Sequence, residues 1–400
     1  MKRIKRSWAL LAGVALLAGV ADYVHADAGA DTSAPIIDLR YRYANIENDA
    51  FTRTANANTL RILLGYRWVF ASHWAADIEG SDTVALFGSN YNDTANGKTQ
   101  FPSESDPPSK QISAAWLGYG DDTVAARLGR QYINLDNQRF FTSGLWRQTP
   151  QSFDALSTSW QLDSGTTLQY IYLDKALRSV GHDYPDPTQR QWDLNANLLH
   201  IDQALALGKL SAYDYLVEND TQAKYSWRTA GLRWSGKQAF SEYKLVWSAE
   251  FAQQNSWRNN PQDYIADYHL LEASSGNDAI NAKLGREVLG ANGKVGFSSP
   301  YGSNHGFNGW ASEFKNTPVK GLDDRYIGAF GQFTREFGWL VLWHDFHAAR
   351  DDQHYGDEIN ASLTYAITSQ LSTELDYADY HSDGYVVSER KVWLSLEYKY

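Results

Sequence analysis

Cysteine is absent from the 400 residues. That excludes a disulfide framework, thiolate metal sites and thiol nucleophiles. It also suits an exported chain that must avoid mispairing in an oxidising space. Long apolar runs are scarce too. The greasiest stretch, Trp8 to Ala21, covers roughly 14 residues, short of the about 20 that a spanning helix needs. It follows Lys2, Arg3, Lys5 and Arg6 and precedes Val24-His25-Ala26, with a cleavage point before Asp27. This charged, greasy, small-residue order is that of a secretory signal peptide, expected over 1–26, with one domain over 27–400. Cleavage would take the formal charge from −11 to −14, a balance unsuited to nucleic acid. Chemical signatures are missing as well. There is no Gly-x-Ser-x-Gly elbow and no Walker loop, and Gly118-Tyr119-Gly120 reads as a turn. His344, His347 and His354 are close in sequence, but the first two alternate onto opposite strand faces, so no metal or cofactor is expected.

What the chain has is rings and alternation. Aromatics make up 14%, weighted to Tyr and Trp, the residues that form girdles at both bilayer interfaces. Side chains on a strand alternate between faces, and a two-residue period recurs from end to end. Ile37, Leu39, Tyr41 and Tyr43 oppose Asp38, Arg40 and Arg42; Leu60, Ile62, Leu64 and Tyr66 oppose Arg61 and Arg67. Val124, Ala126 and Leu128 oppose Arg127 and Gln131, and Leu245, Trp247 and Phe251 oppose Lys244, Ser248 and Glu250. Near the end, Val392, Leu394, Leu396 and Tyr398 oppose Lys391, Ser395 and Glu397, with Trp393 the one exception. With weaker segments between these, the pattern gives about 18 strands, each near the length a tilted strand needs to cross a bilayer.

Connections supply a second signal. Short joints such as Gly120-Asp121-Asp122, Asp163-Ser164-Gly165, Ser235-Gly236-Lys237, Glu336-Phe337-Gly338 and Thr368-Ser369-Gln370 alternate with long ones. The long ones include Ser81–Lys110, Tyr132–Gln151, Asp174–Gln191, Ala291–Leu322 and His381–Arg390. Transmembrane barrels have short periplasmic turns and longer loops on the outer rim. About 18 strands closed into one barrel leave a lumen too wide for side chains to fill. Burying the charged faces in a dry core would cost several kcal/mol per unpaired charge. The expected fold is therefore all-β: a transmembrane antiparallel β-barrel in the outer membrane of a Gram-negative bacterium, greasy outside and charged around a water-filled lumen.

Several segments resemble the alginate export family of outer-membrane channels. They run from Asp38-Leu39-Arg40-Tyr41-Arg42-Tyr43 and Thr59–Tyr66 through Gly129-Arg130-Gln131, Asp136, Gln138-Arg139-Phe140, Trp146-Arg147-Gln148 and Phe153-Asp154-Ala155. Leu289-Gly290, Phe307-Asn308-Gly309-Trp310, Thr317-Pro318 and Gly321-Leu322-Asp324 continue the order. The resemblance implies an 18-stranded monomeric barrel whose charged lumen passes an anionic polysaccharide or related solute. One departure is Ser303-Asn304-His305-Gly306, where family members often carry a residue suited to binding.

Selectivity in such a barrel comes from charged rings and inward-folded loops. The expected pore-lining residues are Arg40, Arg42, Arg61, Arg67, Arg127, Arg130, Asp136, Arg139, Lys244 and Glu250. Guanidinium forks match carboxylates and could pass an anion from one to the next, or each could brace the wall against Asp38, Asp77, Glu79, Asp136 or Asp154. The Ala291–Leu322 loop, with Gly302, Gly306 and Gly309, is expected to form a constriction through His305, Phe307, Asn308 and Trp310. The expected partners are an anionic saccharide or small carboxylated solute and outer-membrane lipid, with a periplasmic partner left open. A passive channel for anionic oligosaccharide or polysaccharide leads, a general diffusion porin with weak ion preference is the alternative, and a barrel enzyme or adhesin trails.

Overall fold

The computed structural model describes residues 32–87 and 89–400, so the expected signal peptide lies outside the described residues. The strands are β1 (Ala34–Asn48), β2 (Ala55–Ala71), β3 (Trp74–Ala85), β4 (Ser109–Gly120), β5 (Val124–Gln131), β6 (Ser152–Gln161), β7 (Thr166–Leu177), β8 (Gln191–Leu205) and β9 (Gly208–Asn219). They continue as β10 (Trp227–Phe240), β11 (Tyr243–Ser256), β12 (Ile265–Gly276), β13 (Asn281–Leu289), β14 (Leu322–Gln332), β15 (Phe337–His347), β16 (His354–Ala366), β17 (Leu371–Ser382) and β18 (Glu389–Lys399). Every strand pairs antiparallel with its sequence neighbours, and β1 also pairs with β18, from Asp38↔Lys399 to Asn48↔Glu389. The sheet is therefore a closed barrel with no free edge.

Exposure settles which face is which. Leu64, Leu128 and Leu363 are 52%, 63% and 41% exposed on the outer wall, while Arg42 and Arg61 are each 1% exposed within. Among the described residues no helix is long and apolar enough to cross a membrane. The barrel wall, apolar without and polar within, makes the crossing. Phe70, Trp74, Tyr243 and Phe333 form an exposed outward girdle at one rim.

That rim carries the short joints, 72–73, 121–123, 162–165, 206–207, 241–242, 277–280, 333–336 and 367–370. The other carries 49–54, 86–108, 132–151, 178–190, 220–226, 257–264, 290–321, 348–353 and 383–388. Short and long alternate without a break, which places the short turns in the periplasm. Two expected turns are corrected. Ser235-Gly236-Lys237 lies inside β10, and the real turn is 241–242; Phe337 and Gly338 belong to β15. Gly236 punctuates nothing here. It faces Trp247 across the ladder, and a Cβ there would collide with the indole that covers it. Long joints are shorter than expected at Ser81–Lys110, Asp174–Gln191 and His381–Arg390, because their flanking residues extend the strands.

Candidate functional site: a lumen divided by two loops

Two of the long connections, 132–151 and 290–321, carry most of their apolar side chains inward, and together with inward wall residues these form the main buried cluster. Phe141 stacks on Tyr301 with ring planes 9° apart, and Phe140 packs on Phe297 and Tyr268. The loops bond to each other directly. Thr142 N–H donates to Tyr301 O at 2.9 Å and Ser303 N–H to Gln138 O at 2.9 Å. A Cβ at Gly302 would collide with the Arg139 carbonyl, so this approach requires glycine.

Arg139 is the hub of that contact. Its Nε donates to Glu287 at 2.7 Å and its Nη2 to Asn308 Oδ1 at 2.8 Å, with Phe307 beneath the guanidinium at 4.9 Å. Asn308 in turn donates to Glu287 at 2.5 Å and reaches Asp324 at 3.3 Å. Trp146 and His305 stack, and Trp310 continues the stack at 5.5 Å. The sequence put Arg139 on the pore lining and His305, Phe307, Asn308 and Trp310 on the second loop; the structure joins Arg139 to Phe307 and Asn308, while His305 and Trp310 stack with Trp146.

The first-strand arginines hold the first loop. The turn after Gly144 directs successive carbonyls at the wall. Arg40 donates to the carbonyls of Leu145, Trp146 and Arg147 and to Gln148 Oε1 at 2.6–2.9 Å. Arg42 donates to Trp146 O at 2.8 Å and lies 4.0 Å over its ring. Arg61 pairs with Asp38 at 2.6 Å and Glu397 at 2.7 Å. Arg40 and Arg42 thus hold the first loop against the wall, while Arg61 ties β2 to Asp38 of β1 and Glu397 of β18. Arg67 pairs with Asp77 at 2.9 Å, and Arg127 lies 4.1 Å over Trp116 in the lumen.

Arg130 is a correction. It shares the outward parity of Leu128, and it pairs with its ladder partner Asp154 at 2.8 Å on the outer wall. The parity with Leu128 was legible in the sequence. Lys244 keeps inward parity but sits by the turn rim, paired with Asp278 at 2.5 Å. Glu250 lies deep in the lumen, accepting from Arg233 and Tyr213 at 2.6 Å each. Asp136 accepts from His200 Nε2 at 2.9 Å. Burial opposes its ionisation, but His200, Arg233 and Lys209 outweigh that and hold its carboxyl below the usual range.

Cavities open around these loops. An outer vestibule of about 480 Å³ is lined by Asn48, Phe51, Glu313, Lys315, Tyr385 and Lys391 among others. One of about 30 Å³ lies against β5–β9 beside Arg127, Asp136, His200 and Lys209. One of about 70 Å³ lies against β10–β15 beside Glu287, Phe307, Asn308, Asp324 and His344. In the vestibule, Lys391 donates to Ala311 O at 2.6 Å. Arg147, on the first loop, pairs with Glu104 at 2.6 Å. Lys315 lines the vestibule and has no ion-pair partner within 4 Å among the described residues; desolvation by its surroundings, with Lys391 and Arg147, holds its ammonium down to about 8, so it remains a cation at neutral pH. Burial and the neighbouring Glu389 carboxylate push the Glu313 carboxyl up to about 8. Sequence reasoning missed the vestibule charges, because nothing in the spacing shows which loop residues meet above a lumen. Trp393 had a signal: it broke the alternation because it faces inward, edge-on to Trp146 at 5.5 Å.

A closed 18-stranded antiparallel barrel, apolar toward lipid and charged toward an internal loop-narrowed lumen, defines an outer-membrane channel. The sequence model of the alginate export family matches residues 36–285, and the chain belongs to that family. No curated protein sequence matches it. Among solved structures, it is similar to OpdK of Pseudomonas aeruginosa crystallised with vanillate, at TM-score 0.73 and 12% identity, covering 92% of this chain and 98% of that one. OccAB4 of Acinetobacter baumannii gives TM-score 0.71 and 14% identity over 93% and 99%. OpdO of P. aeruginosa gives 0.71 and 15% over 94% and 99%.

Proposed function

We propose that this channel is solute-selective and passive, admitting a small carboxylated molecule or short anionic saccharide from the outer vestibule. The observation that carries the reading is Lys315, a cation open to the vestibule and free of a carboxylate partner, above a lumen where most other cations are paired. A point-charge ammonium can meet an incoming carboxylate without first breaking an internal pair. Phe51 and Tyr385 beside it offer apolar faces for a sugar or aromatic ring. The Arg139–Asn308 and Trp146–His305 contacts argue against a general diffusion porin, since they divide the lumen. A long polysaccharide fits less well, because the two inner cavities hold only about 30 and 70 Å³. OpdK's vanillate is an aromatic carboxylate, in keeping with this substrate class.

Planar-bilayer recording tests the proposal. Low single-channel conductance should fall further with short oligouronates or aromatic carboxylates, and Lys315→Ala should weaken that block about tenfold. Large conductance that neither solute class affects would instead make it a general porin.

A further inference from the structure

The outer wall carries a second cluster that the channel reading does not use. Asp345 and His347 lie on β15, two residues apart and therefore on one face, and that face is the outer wall beside Val341 and Trp343. His354, the first residue of β16, would not oppose His347 in a regular ladder; Tyr355 would. A bulge shifts the register between Phe346 and His347 so that His347 pairs with His354. Gly356, at φ 139°, permits it, and Tyr355 turns inward to be buried at 1% exposure. Bulges re-aim side chains, and this one turns two imidazoles onto a shared carboxylate.

Asp345 stands 3.1 Å from His347 Nε2 and 3.1 Å from His354 Nε2. The three candidate ligand atoms all lie within 4.8 Å of one another. A tetrahedral ion with bonds of about 2.0 Å sets its ligand atoms about 3.3 Å apart, close to the two 3.1 Å separations from Asp345. The outer nitrogens are placed as well. His347 Nδ1 meets Asp352 at 3.2 Å, and His354 Nδ1 meets Asp383 at 3.0 Å. Arg325 donates to the same Asp352 Oδ1 at 2.7 Å and fixes the carboxylate. A neutral imidazole has one N–H, so it can serve one of two facing oxygens. With a cation on both Nε2 atoms, each Nδ1–H is left to its own carboxylate, the arrangement that orients metal-bound histidines.

We propose that Asp345, His347 and His354 form a binding site for a divalent transition metal of the zinc class, oriented by Asp352 and Asp383. Two imidazoles and one carboxylate suit such an ion, and the half-exposed fourth side stays open to water or to another ligand at the outer rim. The sequence reading separated His344 from His347 correctly, since His344 points inward to Asp324 at 2.9 Å. It did not reach His354, because the bulge is a feature of pairing.

Zn²⁺ titration of the full-length protein, chelator-treated in detergent micelles, tests the site calorimetrically. Near-stoichiometric binding is expected. His347→Ala and His354→Ala should each weaken it at least tenfold, Asp383→Asn by about tenfold, and His73→Ala on the turn rim should leave it unchanged. Co²⁺ should give the intense visible bands of a four-coordinate centre. Heat-modifiable migration on gels reports whether each variant keeps its barrel. Absence of Zn²⁺ binding to the folded native chain, or binding indifferent to His347→Ala, would overturn the proposal and leave two histidine–carboxylate ion pairs.

Discussion

Trp146 and His305 stack across the lumen with ring centroids 3.4 Å apart and planes within 6°. One belongs to the 132–151 loop and the other to 290–321, so the stack is where two separate connections close on each other. Arg42 lies 4.0 Å over the Trp146 ring and Trp310 extends the column beyond His305. Burial, then the positive neighbours Arg42, Arg147 and Lys391, lower the affinity of His305 for a proton. The ring in the stack is accordingly neutral at physiological pH.

Removing the stack should widen the channel. Trp146→Ala deletes the ring that Arg42, His305 and Trp393 all rest on. Single-channel conductance is expected to rise severalfold with the barrel intact, and unchanged conductance would mean the path avoids this contact.

Arg139→Ala should destabilise the protein. Arg139 and Glu287 are 4% and 2% exposed at their side chains, so the substitution leaves a carboxylate buried without its cation. Breaking such a pair costs about 3–5 kcal/mol. Urea unfolding from micelles would show it, and the double variant Arg139→Ala/Glu287→Gln should recover part of the loss.

Ion selectivity should change with pH through Glu313. Its carboxyl is raised to about 8, so it is neutral below that pH and anionic above. Raising pH from 7 to 9 therefore adds a negative charge to the vestibule, and anion preference should fall. Reversal potentials across a salt gradient measure this. Lys315 lines the same vestibule, and burial with Lys391 and Arg147 holds its ammonium down to about 8, so it loses its charge over the same range. Glu313→Gln should therefore remove part of the change and Glu313→Gln/Lys315→Ala all of it, while His305→Ala should not, because His305 stays neutral across that range.

The lipid face offers a control in the wall itself. Leu64 is 52% exposed while its neighbour Leu63, on the inward face, is 5% exposed. Leu64→Arg would place a guanidinium toward acyl chains and cost about 2–4 kcal/mol near the bilayer midplane. The measurement is folding stability in lipid vesicles, where Leu64→Ala should cost less.

Strand existence and facing were legible because alternation is local: Leu60, Ile62 and Leu64 announce an outer face without knowledge of any partner. Turn positions were less so. Gly236 read as a turn but serves as the seat for Trp247, a residue on the next strand. The arginines on the first strands were found, yet their use was not. Whether Arg40 grips a solute or a loop depends on where residues 145–148 lie, about a hundred positions along the chain.

Residue order suffices for a barrel with greasy outside and charged inside, since a period of two and the alternation of joint lengths are written residue by residue. Tertiary structure alone decided that two loops meet inside at Arg139 and Asn308, that Asp154 is the partner of Arg130, and that a bulge turns His354 toward His347. Those outcomes rest on register and on contacts between distant segments, which local side-chain chemistry does not encode.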